Sequence, residues 1–208
     1  MRSTTAIGFL SLLIPFVSGF HVSGNEVEGG LYKVSIDARG QQVHELLTPD
    51  LVSRDAGLAK ASNALVLADR EIPARFKSAA KELFAREPRL YCGCGIVLDR
   101  SDCDAAVDNM KVQIRNHGGR VFVPIGQAYY AVRGGVVSFI CTRRGNNAIT
   151  GVSEGDFTNL LGVVTQNCGL YVAGTYRHGD SNASEDVGYM NAGGDFCGAA
   201  EASNKERC

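Results

Sequence analysis

The chain has no cysteine before position 92; all seven lie at Cys92, Cys94, Cys103, Cys141, Cys168, Cys197 and Cys208. The first part of the protein therefore has no covalent staple of its own. Charge of one sign is also missing. Lys and Arg number 21 against 22 Asp and Glu, a formal net charge of −1. That balance argues against a polyanion binder, because nucleic-acid affinity needs a concentrated basic surface. Residues 20–91 hold ten basic and ten acidic side chains and residues 92–208 ten and twelve, so neither half is a charged tail. Beyond the first 19 residues no segment approaches 18 apolar positions, which speaks against a membrane anchor. No G-x-S-x-G occurs, and the glycines around Cys94 lack the strand before and the lysine after that a phosphate loop needs. Cys92-x-Cys94 has too short a spacer for a usual zinc pair, and no second pair follows, so neither metal nor cofactor is expected.

The apolar run that does occur is N-terminal. Arg2 gives a short positive region, Ala6 to Val17 is uncharged and apolar, and Val17-Ser18-Gly19 supplies small or β-branched residues at its end. A bilayer core of ~30 Å needs about 20 apolar residues, so this run is too short to span. Pro15 suits a signal segment leading into an extended cleavage site. Residues 1–19 are therefore expected to be a signal peptide, which directs the chain to a secreted, extracellular life. In that setting seven cysteines in a short domain imply a disulfide framework. Seven is odd. One sulfur is left over, free or paired between molecules, and the terminal Cys208 is the easiest candidate.

Three units follow from this: the signal peptide 1–19, an N-terminal arm or propeptide at 20–90, and a cysteine-rich domain at 91–208. Within the arm, Leu31 to Ile36 reads as a strand, alternating at positions 32, 34 and 36, and Ile72 to Arg86 as an amphipathic helix stopped by Pro88. Arg86 and Arg89, the first and last of four residues as a processing protease of the furin kind reads them, precede the first cysteine. A strand and helix packed permanently on the main domain is the competing reading of this arm.

The cysteine-rich part is better patterned. Ser101 with Asp104 predicts a helix start, with Cys103, Val107, Met110 and Ile114 facing inward and Gly118-Gly119 ending it. Strands are expected at Arg120 to Ile125, Ala128 to Arg133 and Val136 to Thr142, the last two joined at Gly134-Gly135. A second helix starts at Ser153, capped with Asp156, buries Phe157, Leu160, Leu161 and Val164, and closes at Cys168-Gly169. Tyr171 to Tyr176 follows as a strand and Val187 to Met190 as a short edge strand. This order predicts an α+β fold: an antiparallel sheet with two helices on one face, a disulfide-stapled sandwich.

Cys92-Gly-Cys-Gly95, Asp102-Cys-Asp-Ala-Ala-Val107, the stretch from Tyr130 to Cys141, and Asn167-Cys-Gly-Leu-Tyr-Val-Ala-Gly-Thr-Tyr176 carry a resemblance. Residues 91–208 resemble small secreted cysteine-rich fungal proteins of the smut-fungus killer-toxin and necrosis-inducing effector type. The resemblance implies a compact α/β sandwich, secretion, and a virulence or toxin role against another organism or its wall. Toxins of that group are linked with ion channels through an exposed basic residue, and no motif fixes a matching Arg or Lys here.

Candidate chemistry is sparse. His117 falls in the last turn of the first helix, where a cationic ring interacts favourably with the dipole; His178 lies in a polar loop, and His21 and His44 lie outside the cysteine-rich part. A secreted ribonuclease would need a base and an acid converging on one phosphate with a cation beside them, and His117, His178, Glu154 and Arg177 have the right chemical types. Asn182-Ala-Ser184 is the one glycosylation sequon. Tyr129 and Tyr130 should point to opposite faces of a strand, as should Tyr171 and Tyr176, and an outward cluster could stack on sugar rings or a protein. The leading expectation is a secreted effector or toxin-like protein that binds a surface molecule of a host or competitor without catalysis. A secreted ribonuclease-like hydrolase and a cell-wall-associated structural protein are the alternatives.

Overall fold

The computed structural model describes residues 20–22, 29–49, 90–142, 151–179, 184–198 and 205–208. The expected signal peptide, the expected helix at Ile72 to Arg86, the expected processing site at Arg86 and Arg89 and the Asn182 sequon lie outside the described residues.

Nine strands and two helices are described. The strands are β1 (Gly30–Ile36), β2 (Gln42–Pro49), β3 (Leu90–Val97), β4 (Arg120–Val121), β5 (Gln127–Arg133), β6 (Val136–Thr142), β7 (Val152–Ser153), β8 (Val172–Gly179) and β9 (Ser184–Asn191). The helices are α1 (Arg100–Asn116) and α2 (Glu154–Cys168). Seven strands form one sheet in the order β2-β1-β5-β6-β9-β8-β3, every pair antiparallel. β4 and β7 pair separately. Both helices lie on one face, α1 over β5 and β6, α2 over β8 and β3. The fold is α+β with disulfides, as the pattern of elements implies.

Strand composition explains the order. β6 is a nearly unbroken apolar run, VVSFICT, buried through its first six residues, as a strand covered on both faces should be. β9 is buried from Ser184 to Met190. It is therefore an interior strand between β6 and β8, not the short edge strand that four apolar residues suggested. The stretch Arg120 to Ile125 is strand only at its first two residues, since Pro124 has no N–H to give a ladder.

Both helices begin at capped ends. α1 is capped by Asp99, whose carboxylate accepts from the backbone N–H of Asp102 at 3.0 Å and from the Ser101 hydroxyl at 2.7 Å. The expected cap at Ser101 is thus displaced two residues by a stronger acceptor. α2 has the capping box read from the sequence: the Ser153 hydroxyl accepts from the Asp156 N–H, and the Asp156 carboxylate accepts from the Ser153 N–H. α2 comes close to β8 because Gly174 faces it; a Cβ there would lie 2.6 Å from Val164 Cγ1.

Two segments distant in the sequence, around Phe20 and around Phe196, pack on the far face of the sheet. Phe196 packs against Tyr130 and Phe139 at 5.3 Å each and against Phe20 at 6.2 Å. The Phe196 N–H donates to the Phe20 carbonyl. Tyr32 stacks on Tyr130 at 5.2 Å, joining β1 to the same aromatic layer. β1 is hydrogen-bonded along its length to β5, and Val22, Leu31 and Val34 are buried. The described residues of 20–49 are thus part of the same sheet and core as the described residues of 91–208, and the sequence boundary at 90 falls inside the sheet.

Three disulfides are formed. Cys92–Cys168 ties β3 to the end of α2, Cys94–Cys208 ties β3 to the C-terminus, and Cys141–Cys197 ties β6 to the segment carrying Phe196. The unpaired sulfur is Cys103, buried on α1, and not Cys208. Cys103 shares the sheet-facing stripe of α1 with Met110 and Ile114, where a small apolar side chain is useful for packing alone.

Candidate functional site

A concavity of about 210 Å³ opens at the C-terminal end of α1. Its floor is apolar: Leu31 of β1 and Met110 of α1, exposed 3% and 1%. Gln113 and His117, three and seven positions after Met110, line the same side of the cavity from α1. Tyr129 of β5 and Phe122, just beyond β4, form the other walls. Phe122 is 55% exposed, and its ring rests on Gly151, where a Cβ would lie only 2.7 Å away.

The polar groups here are held in fixed roles. The His117 Nδ1 lies 2.9 Å from the backbone carbonyl of Gln113. A carbonyl only accepts, so Nδ1 carries the hydrogen, and Nε2 of the neutral ring is an acceptor. The side-chain carbonyl of Gln113 is buried without a hydrogen-bond partner, on a residue only 4% exposed. One turn earlier the Asn109 side-chain nitrogen is likewise buried without a partner. An orphaned buried acceptor costs roughly 1–3 kcal/mol, and native proteins tolerate few.

Charge in this region is paired. Arg120 donates to the Gly151 carbonyl at 3.0 Å and lies 3.5 Å from Asp156. Burial pushes the Asp156 carboxyl up, but hydrogen bonds from the Ser153 hydroxyl and N–H, with the charges of His178 and Arg120, leave it below its ordinary value. Lys33, the cross-strand neighbour of Tyr129, meets Glu45 of β2 at 3.6 Å. The cavity is therefore mostly apolar and aromatic, and the guanidinium at its edge, Arg120, is held by Asp156.

Of the groups considered for RNA cleavage, Arg177 stands apart from the start of α2. Glu154 is held by Arg115 at 3.1 Å at the start of α2. His178 is close enough to Asp156 to shift it. Arg177 points to the opposite face of the sheet, since alternate residues of β8 face α2 and Gly174 is one that does. There its Nε donates to Asp186 at 3.1 Å, and its guanidinium lies 5.0 Å over the Tyr91 ring. His21 pairs through its backbone with Asp195 and Gln42. His44 reaches the Tyr130 hydroxyl at 2.8 Å, and burial lowers its pKa.

The tyrosines divide as alternation requires. Tyr129 faces the helices and the cavity; Tyr130 lies in the far-face aromatic layer. Tyr176 is buried opposite Leu90. Tyr171 precedes its strand, with φ of 59°, and donates its hydroxyl to Asp104 at 3.2 Å. Cys103 sits beside a much smaller cavity of about 40 Å³ between the helices, and burial pushes its thiol up to about 12. Such a thiol is a weak nucleophile. Among the described residues no three His, Cys, Asp or Glu side chains are grouped to hold a metal. No described helix is long and apolar enough to cross a membrane.

Sequence reasoning found Tyr129 and His117 but not their meeting with Gln113 and Phe122. Gln113 reads as a polar helix position, and Phe122 was expected inside a strand. The comparisons with family models, curated proteins and solved structures return no match for this chain.

Proposed function

We propose that this chain is a secreted, toxin- or effector-like protein that binds a molecule on the surface of a host or competitor and does not turn it over. The observation that supports this most is the stapling of the C-terminal segment. Three bridges lock β3, α2, β6 and the chain end together, an investment suited to an oxidising, extracellular setting. Arg177, the cation considered for catalysis, is committed to Asp186 and lies over the Tyr91 ring, which agrees with a binding role. The export signal, the sequon at Asn182 and the resemblance of residues 91–208 to small fungal effectors are in keeping with it.

The test applies purified, disulfide-intact protein at micromolar concentration to plant tissue and to competing microbes. Saturable retention on one of these surfaces, with a tissue or growth response, is expected. No retention and no response on any of them overturns the reading. A ribonuclease assay of the wild type, His117→Ala and His178→Ala is run beside it. Cleavage lost in either variant would replace binding with catalysis.

A further inference from the structure

We infer that the Cys94–Cys208 bridge is a reducible latch: a dithiol opens it ahead of the other two bridges and releases the strap Lys205–Cys208 from the edge of β3. This goes beyond the binding reading and does not depend on it.

The three bridges differ in access. Cys92 and Cys168 are exposed only 1% and 2%. Cys141 is exposed 2%, and Cys197 packs against the core beside the buried Phe196. In the third bridge Cys94 is only partly buried and Cys208 is exposed. Exchange needs a thiolate to reach one of the two sulfurs, so exposed bridges are the labile ones.

The latch also closes something. β3 ends the seven-stranded sheet, with β8 on one side. On its other side the Cys92 N–H donates to the Lys205 carbonyl at 2.7 Å, which occupies a donor that an edge strand otherwise leaves open. Further along the strap, the Cys208 N–H donates to the Asn167 carbonyl near the end of α2 at 3.2 Å. All four strap residues are exposed, and none joins the apolar core. The bridge is the strap's covalent hold, and buried apolar surface adds none.

Opening is a two-step exchange. One sulfur of the dithiol, as thiolate, attacks Cys208 Sγ; the S–S bond breaks, and Cys94 leaves as a thiolate that takes up a proton. The second sulfur of the reagent then displaces Cys208 from the mixed disulfide. The protein gains two electrons and two protons as two thiols, and the dithiol becomes a disulfide. Cys103 stays out of the exchange. It is exposed 4%, and burial pushes its thiol up to about 12, so it has little thiolate to trade into a bridge. Reoxidation therefore restores the same pair. The closed form belongs to oxidising surroundings and the open form to places where dithiols act.

The test adds dithiothreitol in rising amounts to the folded protein, traps the thiols formed with an alkylating reagent and maps them by mass spectrometry. Cys94 and Cys208 are expected to be labelled at least roughly tenfold faster than either other bridged pair. In the partly reduced protein, hydrogen exchange at the Cys92 and Cys208 amides should quicken by roughly tenfold or more while β6 and β9 stay protected. The double variant Cys94→Ser, Cys208→Ser keeps the other two bridges and should show the same exchange pattern with no reductant added. Earlier or simultaneous opening of Cys92–Cys168 or Cys141–Cys197 overturns the inference. So does a strap whose amides stay protected once its bridge is cut, and so does a double variant that fails to fold, since the bridge is then part of the framework. Surface retention of the unreduced protein is measured separately and bears only on the binding reading.

Discussion

The two ends of the seven-stranded sheet are held by different physical means. At one end β3 is bridged twice, to α2 and to the C-terminus, and the backbone N–H of Cys92 donates to the Lys205 carbonyl, so the chain end runs beside the strand. At the other end β1 and β2 contain no cysteine. They are held by the ladder to β5, by Tyr32 stacked on Tyr130, and by the buried side chains of Leu31 and Val34. β2, the last strand, is mostly exposed and shows Val43 and Leu46 to solvent. The difference teaches where covalent restraint is used. The bridges tie the chain end and β3, where five residue steps from Cys92 to Val97 face only two on β8 and weaken the ladder. The hairpin at the far edge has a smaller irregularity, between Leu31 and Tyr32, and an aromatic anchor, and has no bridge.

The largest effect expected from this comparison comes from the bridges. A loop of 76 residues closed by Cys92–Cys168 restricts the unfolded chain by about 4–5 kcal/mol in the chain-entropy description. Replacing both cysteines by Ala should lower unfolding free energy by about 3–5 kcal/mol, read by urea denaturation. A loss below 1 kcal/mol would mean that β3 is secured by packing instead.

Next comes the aromatic layer, which serves both ends. Phe196→Ala removes a side chain buried among Phe20, Tyr130 and Phe139 and should cost about 3–5 kcal/mol. Tyr32→Ala should cost less overall and act locally. Amide exchange in β1 and β2 is expected to quicken while β6 and β9 stay protected. Uniform quickening through all seven strands would mean that the hairpin and the stapled half unfold as one unit.

Part of this contrast can be read in the sequence. The absence of cysteine before position 92, the alternation at Tyr32, Val34 and Ile36, the β6 run and the Ser153–Asp156 box all correspond to structure. These are short-range signals, in which the residue types state their own backbone preference. What was not legible depends on distant partners. β2 and β3 have no clean alternation: β2 is an exposed edge, and β3 is interrupted by Gly93 and Gly95, so neither shows a period. The place of β1 in the main sheet is fixed by its pairing with β5, a hundred residues on, and not by its own composition. The odd sulfur was placed at Cys208 for its terminal position, whereas burial on α1 decides it for Cys103. The cavity was hidden for the same reason: Leu31, Gln113, Phe122 and Tyr129 come from four elements.

A smaller effect separates the far-face layer from the rest by pH. His44 has its pKa lowered below 6.5 by burial against Tyr130. A histidine with a depressed folded pKa favours the neutral ring. Its contribution is therefore complete above the unfolded value and is lost as pH falls through the folded one. Stability should decline on acidification from pH 7 toward 5, and His44→Gln should blunt the decline. An identical pH profile in the variant would show that His44 stays solvated at this edge.

The smallest effect belongs to the exposed ion pair at the hairpin. Lys33 and Glu45 are 3.6 Å apart with Glu45 62% exposed, so Glu45→Ala should change stability by less than about 1 kcal/mol. A larger loss, seen by the same urea titration, would make the edge strand more dependent on charge than on packing.

The pairing of the sulfurs tests the account most directly. Native protein is treated with an alkylating reagent, then digested without reduction and mapped by mass spectrometry. The expected result is three linked peptide pairs, Cys92 with Cys168, Cys94 with Cys208 and Cys141 with Cys197, and a Cys103 that reacts only after denaturation. A Cys208 alkylated in the native protein, or Cys103 found in any bridge, would contradict it.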